Sequence, residues 1–252
     1  MLPRSRRNRI AALPPRRVVV SVAGVPVVPD DRGEPLNAAE LAAAAARSGA
    51  DEIFLWLRRP YPPLLPQEVR TLAAAIDIPL LVGPGPSAPP EIEGLFEAGA
   101  SRIFVEGAAL GDPDLVSRLC RRFGSESIGV MISARHEEGA WRVWDGERGA
   151  QTEWDAVDWA RVLEAQGAGE LLLRRAGAAA GTADLELLRA VGSAVARPVM
   201  ALVAGQTLED VLDSLLIGDV DALLLDARRL PGGRSIAQIK KVIAEHGLSV
   251  RL

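Results

Sequence analysis

Short apolar runs and longer amphipathic stretches take turns along this chain. Mostly apolar runs occupy 18–23, 52–57, 80–82, 103–105, 128–133, 170–173, 199–202 and 222–225, each the length of a buried strand. Between them, apolar positions recur at helical spacing, as in 38–47 and 115–123, which predicts a helix after each strand. The pattern also repeats once. Gly49-Ala50-Asp51-Glu52-Ile53 returns as Gly167-Ala168-Gly169-Glu170-Leu171, 118 residues on. Gly99-Ala100-Ser101-Arg102-Ile103 is echoed by Gly218-Asp219-Val220-Asp221-Ala222-Leu223, and Ile78-Pro79-Leu80 by Arg197-Pro198-Val199, both 119 apart. Each unit reads as a helix ended at a glycine, a turn, and a strand of a parallel sheet. Two four-module halves predict an α/β chain folded as a (β/α)8 TIM barrel built from two repeated half-barrels.

Proline-rich pieces at 60–66 and 84–90 fall between a strand and its helix and are expected in loops on the C-terminal face, where barrels of this kind carry their chemistry. After the fifth strand, Trp141-Arg142-Val143-Trp144-Asp145-Gly146-Glu147 alternates around an Asp-Gly turn, which predicts a small hairpin. Composition adds bounds. A length of 252 residues with 48% hydrophobic content suits one barrel, expected over 17–252. Residues 1–16 read as a basic tail: the first 17 positions carry six arginines and three prolines, without the uninterrupted apolar core of a signal peptide. The pair Arg6-Arg7 resembles the start of a twin-arginine export signal, but the apolar stretch after it is better explained as the first strand. One cysteine excludes an intrachain disulfide, and two histidines supply no zinc-type cluster. A cytoplasmic protein without metal or cofactor is the expectation. The net charge of −4 gives no general attraction to nucleic acid, and no membrane association is expected.

Several pieces together carry a family resemblance: Asp158-Trp159 leading to Gln166-Gly167-Ala168-Gly169-Glu170-Leu171-Leu172, the run Phe123-Gly124-Ser125, and Ile239-Lys240-Lys241 continuing to His246-Gly247-Leu248-Ser249-Val250-Arg251. On these the chain resembles the cyclase subunit of imidazole glycerol phosphate synthase, from histidine biosynthesis, over nearly the whole barrel. The resemblance implies a barrel that receives ammonia from a glutaminase docked at its N-terminal face and delivers it along the axis to a phosphorylated substrate at the C-terminal face. It also implies two catalytic aspartates, at the ends of strands one and five. Aligned on those strands, Ala23 and Ser133 stand at the two positions. Neither supplies a general acid or base at neutral pH, a contribution of roughly 10² to 10⁴ per step.

The phosphate loops implied by the resemblance are altered as well. Their remnants are Gly83 and Gly85, Gly107, and Gly205, but Pro84 and Pro86 lack the N–H that such a loop offers. Glu106 and Asp226 close strands four and eight, where a carboxylate repels phosphate. With the strands in the family register, alternation turns Arg58, Glu106, Arg174 and Asp226 to the mouth, with Arg135 and His136 just beyond strand five. This cluster reads either as an anion site built by arginines or as a self-satisfied ionic plug. The plug is preferred because the carboxylates already neutralise the cations. Phe54, Trp56, Phe104, Met131 and Met200 are expected to fill the axis. At the bottom, Arg17, Glu52, Arg102 and Glu170 match the ring that gates the tunnel in the family, although four alternating charges neutralise one another without any traffic between them. The expectation is a barrel that has lost cyclase activity and acts as a scaffold, partner-binding or ligand-sensing protein, its partner glutaminase-like or of the barrel family. The alternative is an enzyme of altered chemistry on an anionic small molecule, using Glu106, Ser133, Arg135, His136 or Asp226; a working cyclase is a third reading.

Overall fold

The computed structural model describes residues 15–23, 38–57, 65–112, 114–146, 148–176, 184–203 and 207–251, and the side chains of 20–23 are outside that description. Its elements are β1 (Arg17–Ala23), α1 (Ala38–Arg47), β2 (Glu52–Trp56), α2 (Leu65–Ala75), β3 (Leu80–Gly83), α3 (Pro89–Glu97), β4 (Arg102–Val105), α4 (Gly107–Gly111), α5 (Leu115–Phe123), β5 (Ile128–Glu137), β6 (Ala140–Asp145), β7 (Ala150–Asp155), α6 (Ala156–Ala165), β8 (Glu170–Arg175), α7 (Leu185–Ala194), β9 (Val199–Val203), α8 (Leu208–Leu216), β10 (Ala222–Asp226) and α9 (Ile236–Glu245). Strands β4, β3, β2, β1, β10, β9, β8 and β5 pair in that order, and β4 pairs with β5 to close the barrel. All eight contacts are parallel. The predicted (β/α)8 barrel is thus the fold.

Local chemistry explains the boundaries. The repeat glycines Gly49, Gly99 and Gly167 take φ of 98°, 109° and 95°, a conformation that ends a helix at little cost only for glycine. Ser235 and Gln238 form a reciprocal capping box at the start of α9, and Thr207 and Asp210 do so at α8. The proline-rich pieces meet the expectation in part: Pro84 and Pro86 lie in the loop between β3 and α3, and 60–64 lie outside the described residues. Pro66, Pro89 and Pro90 lie inside helices α2 and α3, in the first turn, where a missing N–H breaks no helical bond. The fifth strand also outruns its predicted end at Ser133: Ala134 to Glu137 continue past the barrel and pair antiparallel with β6, which pairs with β7. The expected hairpin is therefore a three-stranded extension of the barrel wall.

Two apolar clusters form the core. One lies between strands and helices. The other runs along the barrel axis and takes side chains from every barrel strand: Val19, Phe54, Leu81, Phe104, Met131, Leu172, Met200, Ala222 and Leu224, each at most 2% exposed. Trp56, expected among them, is half-buried at the upper edge and only packs against this cluster. The Phe54 and Phe104 rings sit 5.3 Å apart. Glycines make room for them: a Cβ on Gly83 would stand 2.7 Å from Phe104 Cβ and 2.9 Å from Phe54 Cζ, and one on Gly129 would stand 2.4 Å from the Phe104 ring.

The first and last modules are joined by buried charge. Lys240 of α9 meets Asp51 at 2.9 Å, both side chains 4% exposed, and the other Asp51 oxygen accepts the Val18 N–H at 2.8 Å. Arg16 spans Asp219 and Asp221 at 3.0 Å each. Residues 1–14 of the predicted basic tail lie outside the described residues. Among the described residues, no helix is long and apolar enough to cross a membrane. Removing one partner of a buried pair strands the other charge. Lys240→Met is therefore expected to lower the unfolding free energy by about 3–5 kcal/mol in urea titration; a loss under about 1 kcal/mol would mean the pair contributes little to the seam.

Candidate functional site

Strand alternation stacks three rows inside the barrel: a charged row at the N-terminal end, the apolar cluster, and a charged row at the mouth. The mouth is organised by Glu106, at the end of β4. Its Oε1 accepts the Ser133 hydroxyl from β5 and Arg174 Nη2 from β8 at 3.1 Å. Ser133 and Arg174 are paired neighbours in the sheet, so register alone brings both to the same carboxylate. Ser133 is 1% exposed. The Arg174 guanidinium also lies 5.6 Å from the centre of the Trp56 ring, within cation–π reach. The turn between β6 and β7 covers the pair, because a Cβ placed on Gly146 would stand 3.9 Å from Arg174 Nη2 and 4.0 Å from Glu106 Oε2.

The rest of the predicted cluster disperses. Asp226 pairs with its neighbour Arg228 at 3.0 Å, not with Arg174. Arg135 lies on the β5 extension, 4.3 Å from the Trp144 ring and 3.2 Å from Glu137. His136 is exposed and stacks edge-on against Trp141 at 5.0 Å. Both left the expected cluster because β5 continues into the extension beyond Ser133. Arg58 lies outside the described residues. The Asp145-Gly146 turn was expected from the sequence, but its position over the Glu106–Arg174 pair was not. Asp145 is buried, with its carboxylate 6% exposed and accepting the Arg148 N–H at 3.1 Å.

The loop glycines are engaged elsewhere. Gly83 ends β3 against the Phe rings, and the Gly85 N–H donates to the Phe104 carbonyl at 2.7 Å, so that amide is turned away from any phosphate. Gly107 opens the five-residue helix α4. Gly205 lies outside the described residues. Among the described residues, no group of three or more His, Cys, Asp or Glu is arranged to hold a metal ion. Burial pushes the Cys120 thiol up, away from the thiolate form that a nucleophile needs.

At the opposite end the four ring residues do meet. Arg17 contacts Glu52 at 2.7 Å and also Glu170, and Arg102 contacts Glu170 at 2.7 Å while donating to the Glu126 carbonyl at 2.8 Å. Burial alone lowers the pKa of Arg17, yet the carboxylates of Glu170 and Glu52 overcome it and hold the guanidinium above its ordinary value. Burial dominates at Glu170 and pushes its carboxyl up against the pull of Arg17 and Arg102. The result is a chain of ion pairs in the order Glu52, Arg17, Glu170, Arg102.

With this geometry in place, comparison with known proteins is direct. The family model described as "Histidine biosynthesis protein" matches residues 15–225. The imidazole glycerol phosphate synthase subunit HisF of Dehalococcoides mccartyi strain CBDB1 is 38% identical over 232 residues, covering 88% of each chain. The same subunit from strain BAV1 is 37% identical over the same span.

The mouth pair is largely desolvated, with Arg174 and Glu106 side chains 18% and 13% exposed. Arg174→Ala leaves Glu106 with only the Ser133 hydroxyl and is expected to cost about 2–3 kcal/mol in urea unfolding, less than a fully buried pair because some solvent reaches it. Arg228→Ala, at the more exposed pair with Asp226, should cost under about 1 kcal/mol. Equal losses would show that the mouth pair is no more structural than a surface bridge.

Proposed function

The chain belongs to the histidine biosynthesis protein family and is a barrel like the cyclase subunit of imidazole glycerol phosphate synthase; on that premise we propose that it has lost cyclase chemistry and serves as a non-catalytic binding protein, a scaffold, partner-binding or ligand-sensing member of the family. The observation that carries the reading is Ser133. It occupies the position where the resemblance implies a catalytic aspartate, it is buried, and its hydroxyl is tied to a carboxylate that Arg174 already neutralises. A serine hydroxyl is a poor substitute for a catalytic carboxylate, and the one carboxylate it contacts is already held in an ion pair with Arg174.

Two further features support the proposal. Ala23, at the other implied aspartate position, ends β1 and is paired with Trp56 in the sheet; alanine has no titratable group. The axis is filled by side chains with almost no exposure, which opposes transfer of ammonia along it. The four charged residues at the N-terminal face are all present and linked by ion pairs, which supports a glutaminase-like partner as the proposed occupant of that face. The altered-enzyme reading is weaker, because Glu106 is ion-paired and Arg135 and His136 point to partners on the extension.

The test is a cyclase assay with the family substrate and ammonium salts in place of a glutaminase. No formation of imidazole glycerol phosphate is expected, and turnover within a hundredfold of an intact family member would refute the proposal. Restoring both aspartates through Ala23→Asp and Ser133→Asp should not recover activity, because an aspartate at 133 would face Glu106 and two carboxylates that close cannot both ionise readily.

A further inference from the structure

We propose that the outer stripe of α8 is the docking surface for this chain's own N-terminal segment, with Ile10-Ala11-Ala12-Leu13 laid over Leu216 and Ile217, and Arg4, Arg6, Arg7 and Arg9 facing Asp213 and Glu209. The inference is independent of how the mouth is read.

Among the described residues the exposed large hydrophobics are Trp154, Leu216 and Ile217. Leu216 and Ile217 are adjacent, 48% and 47% exposed, at the C-terminal end of α8. Apolar side chains scattered over a surface are ordinary; these two stand together where the N-terminal segment reaches the barrel. That point is fixed by Arg16, whose guanidinium bridges Asp219 and Asp221 at 3.0 Å each, just beyond Ile217 in the chain. The Arg16 N–H also donates to the Ser249 carbonyl at 2.7 Å. An extended chain spans at most about 3.3–3.6 Å per residue, so Leu13 reaches about 10 Å from Arg16 and Ile10 about 20 Å, enough to cross the end of α8.

Charge sets the direction. Helix α8 carries Glu209, Asp210 and Asp213 and no cation, while residues 1–13 carry four arginines and no acid. Asp210 is engaged in its capping box with Thr207, whereas among the described residues no ion pair engages Glu209 or Asp213. Glu209, Asp213 and Ile217 follow one another at four-residue steps, about 6 Å apart along one side of the helix. Moving back from Arg16, the segment is apolar at 13–10 and basic at 9–4. Moving back from Ile217, the stripe is apolar and then acidic. The two orders match. Arginine also suits the C-terminal end of a helix, where the dipole is negative. The apolar contact supplies most of the attraction and the ion pairs fix the direction, because exposed pairs add little energy.

The experiment records methyl NMR spectra of the full chain, with Leu216 and Ile217 assigned through Leu216→Met and Ile217→Val, and reads nuclear Overhauser contacts from their methyl groups. Contacts to the methyls of Ile10 or Leu13 within one chain are expected. Ile10→Ser together with Leu13→Ser should remove those contacts and shift the Leu216 and Ile217 signals. Glu209→Gln together with Asp213→Asn should move the same signals part of the way to the positions they take in the serine variant. Absence of the contacts, or signals that stay in place in the serine variant, would overturn the docking. Contacts seen only between labelled and unlabelled chains in a mixed sample would overturn it too, by assigning the stripe to a second copy. Signals unmoved by Glu209→Gln with Asp213→Asn would overturn the pairing of the arginines with α8.

Discussion

A closed eight-stranded barrel encloses a space just wide enough for side chains to fill, and in this protein two phenyl rings do much of the filling. Phe54 and Phe104 meet inside the barrel at 5.3 Å, and they fit because Gly83 and Gly129, on the two strands flanking β4, present no Cβ where the rings lie. The arrangement is mutual. A methyl group at Gly129 would overlap the Phe104 ring, and a smaller residue at 104 would leave a void beside the glycine, with the cost that core cavities carry. Leu81, Met131, Leu172, Met200 and Leu224 complete the packing.

What lies above and below follows from the same alternation. Two residues before Phe54, Phe104 and Leu172 come Glu52, Arg102 and Glu170 of the ring; two residues after them come Trp56, Glu106 and Arg174 of the mouth. An apolar plug with charge at both ends is a stable barrel core, and charged rows paired within themselves avoid the cost of isolated buried ions. The same paired rows limit chemistry. Glu106, which contacts the residue at the implied base position, is engaged by Ser133 and Arg174, and the proposed loss of activity rests on that structural use of groups.

Much of the fold was legible in the sequence because it is written in short-range signals. The repeat of helix, glycine, turn and strand fixed the module, and the alternation of Glu52-Phe54-Trp56 and Glu170-Leu172-Arg174 separated inward from outward positions. The ring at the N-terminal end was legible for the same reason, since each of its members starts or nearly starts a strand. The mouth was less so. Arg135 and His136 were expected beside Glu106, but β5 pairs with β6 past Ser133, and a strand leaving the barrel carries its side chains away from the axis. Asp226 was expected to take a distant arginine and took Arg228, two residues along, a local closure that strand periodicity does not express. The roof at Gly146 depends on how the extension folds back, which no local pattern specifies.

The central claim is that the barrel axis is filled, and noble-gas crystallography tests it most directly. Xenon under pressure enters dry apolar voids in protein interiors. Crystals of the wild-type protein should show no xenon between the N-terminal ring and the mouth, while crystals of Phe104→Ala should show xenon in the space vacated by the ring. Xenon bound on the axis of the wild-type barrel would contradict the account, since an interior open to xenon is also open to a molecule as small as ammonia.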